Sequence, residues 1–164
     1  MLNNQTTGRL LENSYQDKPK EEIGGYLIDK SLSGKRVQVY TNDEGKAVIA
    51  HRGTKGFQDI LTDVKVMFGN KDNDRFKHAK KIQKQAEEKY GKENTTTIGH
   101  SLGSIIAEDV GQKSDKLITY NKPVGLLDIN KKVSNKQTDI RTSRDPLSLL
   151  RGLKKGNKEQ IIKK

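Results

Sequence analysis

The chain has 164 residues, 30% of them hydrophobic, and 32 Lys and Arg against 21 Asp and Glu give a formal net charge of +11. A chain of this size forms one domain with a core of its own, because folding removes about 70% of its unfolded surface from water. With no cysteine in the sequence, disulfides, thiolate nucleophiles and Cys-ligated zinc or iron are excluded.

Residues 1–25 are polar except for Leu10 and Leu11, which predict a short docking helix ahead of the Asp17-Lys18-Pro19 break. Residues 1–36 therefore read as an arm packing on a core domain of residues 37–164. Val37-Gln38-Val39-Tyr40 alternates, turns at Asn42-Asp43-Glu44-Gly45 and returns through Ala47-Val48-Ile49-Ala50, a hairpin with turn chemistry in place. It ends at His51-Arg52-Gly53-Thr54. Phe57, Ile60, Leu61 and Val64 predict an amphipathic helix over 57–67. Phe76, Ala79, Ile82, Ala86 and Tyr90 predict a longer one over 74–90, with lysines opposite and Gly91 as its stop.

Next, the β-branched run Thr95-Thr96-Thr97-Ile98 leads into Gly99-His100-Ser101-Leu102-Gly103, after which Leu102, Ile105, Ile106 and Val110 mark another helix face. Further strands are predicted at 116–120, 138–142 and 159–162. Strands alternating with helices imply an α/β fold, a mainly parallel central sheet covered on both faces, with antiparallel pairing in the opening hairpin.

The pattern Gly99-x-Ser101-x-Gly103 arises by chance in roughly one chain in fifteen of this composition, so alone it decides little. Its context decides more. A serine on a sharp strand-to-helix turn needs small residues two positions to either side, because the backbone is strained and neighbouring elements pass close by. The helix that follows turns its unpaired N–H groups, Leu102 among them, toward a developing oxyanion. The plainer reading, a serine that caps the helix, explains Ser101 but neither glycine.

In these residues the chain resembles the class 3 lipases of the α/β-hydrolase superfamily. The matching pieces are Lys46 to His51 running into Arg52-Gly53-Thr54, then Asp59-Ile60-Leu61-Thr62-Asp63, Ile98 to Ser104, and Ile140 to Leu147, covering roughly residues 37–150. It also looks similar to compact lipase-like proteins of some viral and phage genomes. The resemblance implies a three-layer α/β-hydrolase sandwich without a large cap domain. It implies Ser101 as nucleophile, Asp145 as triad acid, and Thr54 with Leu102 as the oxyanion hole. Gly99 and Gly103 would support the turn, Arg52 and Asp63 would pair beneath the oxyanion loop, and Phe57, Ile60 and Leu61 would be the apolar side of a lid. Core packing explains those three equally well, a turn role explains Thr54, and Asp139 or Asp128 are rival acids. No metal or organic cofactor is implied.

The histidine departs from the pattern. The family order is Ser, acid, His, and no histidine follows His100. His51 closes a strand, His78 edges a polar helix face, and His100 adjoins the nucleophile on a strand-like turn that points its ring away from the hydroxyl; all three read as structural or solvated. The expectation is an amino-terminal portion of a longer hydrolase, or a naturally shortened one, with Ile161-Ile162 as the strand before the missing loop.

Two functions compete. One is a serine ester hydrolase, a lipase or phospholipase acting on lipid carboxylic esters through an acyl-serine. The other is an inactive hydrolase-fold protein holding anionic membrane or nucleic acid on Lys77, Lys80, Lys81 and Lys84. The 25 Lys against 7 Arg disfavour specific nucleic-acid reading, since Lys lacks the bidentate fork. Near anionic lipid each Lys contributes about 1 kcal/mol; solubility is the plain alternative. No apolar run is long enough to cross a bilayer, and residues 1–20 lack the apolar stretch of a secretory signal. A soluble protein, cytoplasmic or virion-associated, is expected, its oligomeric state open.

Overall fold

A computed structural model describes residues 2–54, 74–123, 134–142 and 159–162. The helix expected over 57–67, the lid candidates Phe57, Ile60 and Leu61, and Asp63, Asp128 and Asp145 lie outside the described residues.

Eight strands pair in chain order: β1 (Glu22–Ile23), β2 (Tyr26–Ile28), β3 (Val37–Thr41), β4 (Ala47–His51), β5 (Thr95–His100), β6 (Lys116–Tyr120), β7 (Gln137–Thr142) and β8 (Glu159–Ile162). Pairing is antiparallel from β1 to β4 and parallel from β4 to β8. The expected mainly parallel sheet holds in part: four of the seven pairings are parallel, and the sheet is mixed. Both antiparallel pairings beyond the expected hairpin involve residues 22–28, where the sequence suggested only an arm. Gly24 and Gly25 join β1 to β2 with φ of 57° and 84°, the left-handed pair that a two-residue hairpin turn demands.

Strand alternation sends successive side chains to opposite faces. Val37, Val39 and Ile49 share one core with Phe76, Ala79 and Ala86 of helix α2 (Asp74–Tyr90) and Leu102, Ile105 and Ile106 of helix α3 (Leu102–Val110). On the other face Tyr40, Val48, Ala50 and Ile98 meet Leu10 and Leu11 of helix α1 (Asn4–Ser14). Three layers result. Burial of each large aliphatic side chain here stabilises by roughly 1.5–3 kcal/mol. Asn3 caps α1 by accepting the Thr6 N–H at 2.8 Å.

Helix α2 packs on the core with the expected face, which is wider than its apolar residues alone. Gln83 and Glu87 are buried with Phe76, Ala79 and Ala86, whereas Ile82 and Tyr90 are only partly buried. Among the described residues no helix is long and apolar enough to cross a membrane.

Candidate active site

β5 ends at His100 and α3 begins at Leu102, so one residue makes the strand-to-helix reversal. That residue is Ser101, with φ 54° and ψ −125°. For a side chain with a Cβ this backbone costs about 1–3 kcal/mol and persists only where the surroundings over-determine it.

They do. The Ser101 N–H donates to the Tyr120 carbonyl at 2.9 Å, and the Ser104 N–H donates to the Ser101 carbonyl at 2.9 Å. The Ser104 hydroxyl donates toward the Gly99 carbonyl at 2.8 Å and the Tyr120 carbonyl at 3.0 Å. A Cβ on Gly99 would lie 2.6 Å from the Gly103 carbonyl carbon and 2.8 Å from Ser104 Cα. One on Gly103 would collide with the His51 carbonyl oxygen and lie 2.9 Å from Gly53 N. The glycines are therefore required by close backbone approach, and the approach brings the loop after β4 against the Ser101 turn.

Ser101 is 3% exposed, caps no helix N–H with its side chain, and its Oγ has no hydrogen-bond partner among the described residues. Capping therefore does not account for the serine. Leu102 is the first residue of α3 and is fully buried; a first helical residue has no intrahelical acceptor for its N–H. Thr54 follows Arg52-Gly53 in the loop after β4. From the start of α2, Arg75 donates to the Arg52 carbonyl at 2.6 Å and toward Thr54 Oγ1 at 3.5 Å, a support that sequence reading missed. Arg52 itself lies with its guanidinium carbon 5.6 Å from the Tyr15 ring centroid.

The three histidines take separate places. His51 is 1% exposed and pairs through Nε2 with Gln83 Oε1 at 3.2 Å. Burial, with Arg75 and His78 nearby, overrides that bond and lowers its pKa to about 4. His78 is exposed on α2. His100 faces the α1 side, where its Nδ1 lies 2.9 Å from the Tyr15 hydroxyl.

Beneath His51, Gln83 Nε2 reaches Glu87 at 2.8 Å, Thr97 at 2.9 Å and Ser114 at 3.0 Å. A second buried cluster holds Asp139. Thr119 donates to it, Gln137 Nε2 donates to it at 2.8 Å, and the Lys122 ammonium, itself bound to Glu108, stands 3.9 Å away. As a rival triad acid Asp139 is thus committed within β7. Among the described residues no group of three His, Asp or Glu could hold a metal ion.

No protein-family model matches the chain, and no curated protein matches it. Among solved structures, the crystal structure of Lip2 lipase from Yarrowia lipolytica is similar with a TM-score of 0.59 at 15% identity, covering 96% of this chain and 77% of that one. The likeness is one of fold: an α/β chain with a lipase as structural neighbour.

Proposed function

We propose that the protein is a serine ester hydrolase of the lipase kind, acting on carboxylic esters of lipids. Ser101 attacks the ester carbonyl, its proton leaves for a base, the alcohol departs, and water releases the acyl group from the serine. The observation that carries this reading is the strained turn at Ser101 with an Oγ that has no partner among the described residues, held between two glycines that admit no Cβ. Leu102 N–H and Thr54 are the oxyanion donors and Asp145 the acid in this reading, with Phe57, Ile60 and Leu61 as lid.

The base is the open role. None of His51, His78 or His100 bonds to Ser101 Oγ, and the sequence holds no other histidine. Loss of one triad member leaves residual catalysis from the oxyanion hole and binding, so slow acylation is expected of these 164 residues. A fluorophosphonate probe is expected to label the chain, and Ser101→Ala to abolish labelling. Labelling of the alanine variant at the same rate would remove Ser101 as the nucleophile.

Lys77, Lys80, Lys81 and Lys84 are all exposed on α2, which favours a second property, peripheral attachment to anionic membrane. Sedimentation with phosphatidylserine vesicles at low salt is expected to fall steeply as salt rises. Equal binding to neutral vesicles would exclude it.

A further inference from the structure

Tyr15 caps the end of α1 and touches both the loop after β4 and the Ser101 turn. The Gly53 N–H donates to the Tyr15 hydroxyl oxygen at 3.1 Å, and the same oxygen lies 2.9 Å from His100 Nδ1. The Tyr15 and His100 rings meet edge to face, centroids 5.7 Å apart and planes at 80°. A Cβ on Gly53 would collide with the Tyr15 hydroxyl and come within 2.5 Å of the His100 carbonyl oxygen. Loop, phenol and imidazole are thus in mutual contact beside Ser101.

A backbone N–H only donates, so the phenol oxygen accepts from Gly53, and its own proton is free to go to Nδ1 when that nitrogen is unprotonated. An accepting Nδ1 leaves the proton of a neutral imidazole on Nε2. Residues 52–54 belong to neither strand nor helix, and ties from both sides, Arg75 from α2 and Tyr15 from α1, add to the Arg52 N–H bond to the Arg36 carbonyl at 3.0 Å in placing them. We infer that Tyr15 is a positioning residue of the Ser101 site. Its hydroxyl, held between Gly53 N–H and His100 Nδ1, fixes the oxyanion loop against the nucleophile turn and sets the tautomer of His100. With Gly53 N–H committed to Tyr15, the loop's contribution to an oxyanion falls to Thr54. The importance for chemistry rests on the hydrolase reading; the clamp itself does not.

The test uses the full chain and three variants. Tyr15→Phe keeps the ring and removes the hydroxyl. It is expected to slow fluorophosphonate labelling about tenfold or more, to raise the exchange rate of the Gly53 amide about tenfold, and to move the His100 Nδ1 nitrogen resonance off its accepting position. His100→Leu is expected to slow labelling to a similar degree. His100→Asn, which offers an oxygen where Nδ1 stands, is expected to recover most of that loss, which a packing role alone would not produce. Wild-type labelling by Tyr15→Phe, or an unchanged Gly53 exchange rate and His100 resonance, would overturn the inference. If the wild-type chain does not label at all, the hydrolase reading fails, and Gly53 exchange with the His100 signal still decides the clamp.

Discussion

The two faces of the sheet beneath Ser101 are built on different principles. On the α2 and α3 side, His51, Gln83, Glu87, Thr97 and Ser114 form a sealed polar layer in which Gln83 is the hub. On the α1 side, Tyr15, His100 and Tyr120 line a groove of about 620 Å³ together with residues of α1. The sealed side keeps its histidine neutral and its hydroxyls paired, with His51 Nδ1 left without a hydrogen-bond partner among the described residues, and it serves as scaffold. The open side is where solvent reaches the end of β5. A buried polar group with its partners in place is structural, and the Ser101 turn lies on the seam between a face mostly of that kind and one that is not.

Closing that seam is expected to have the largest effect. Gly103→Ala places a methyl against the His51 carbonyl oxygen and within 3 Å of Arg52 and Gly53 backbone atoms, none of which belongs to a flexible side chain. Overpacking of this kind costs on the order of 3 kcal/mol, read as a lower urea midpoint. A Gly103→Ala protein with wild-type stability would mean the loop after β4 does not press on the turn.

Next comes the titration of the sealed side. His51 has a folded pKa of about 4 against about 6.5 in an unfolded chain. Between those values the unfolded state binds the proton and the folded state does not. Stability is therefore complete above about pH 6.5 and falls as pH drops toward 4, by on the order of 3 kcal/mol. Urea unfolding between pH 7 and 4 checks this against His51→Gln, whose profile is expected to be flatter across that window. Parallel profiles would place the acid sensitivity elsewhere.

How much of this was legible beforehand follows from the range of the interactions. The hairpin of β3 and β4, helix α2 and the strand, turn and helix around Ser101 follow from local alternation, 3.6-residue spacing and glycine placement. Edge strands of two and three residues carry too few positions to show a period, so β1 and β2 passed for an arm. Gln83 and Glu87 have no apolar signature, and only the hydroxyls of Thr97 and Ser114 across the layer reveal why α2 turns them inward. Tyr15 stands 38 residues from Gly53 and 85 from His100. No local pattern joins them.

Gln83→Leu tests the hub at a smaller scale. It keeps the volume and removes the amide, leaving Glu87, Thr97 and Ser114 without that donor and His51 without its acceptor. Thr97 and Ser114 still hold each other at 2.6 Å, so the expected loss is about 2 kcal/mol rather than the sum of four bonds. Chemical denaturation measures it, and a change under about 0.5 kcal/mol would show that the layer is held by its apolar neighbours alone.

The smallest effect is expected on the open side. Burial raises the pKa of Tyr120, and its hydroxyl is buried without a hydrogen-bond partner among the described residues. A hydroxyl that has lost water and gained nothing contributes no stability, and removing it is neutral or favourable. Tyr120→Phe is therefore expected to unfold within about 0.5 kcal/mol of wild type, or slightly later, in contrast to Gln83→Leu across the sheet. A loss of 1 kcal/mol or more would show that this hydroxyl has a partner in solution, and the two faces would then differ in openness alone at this position.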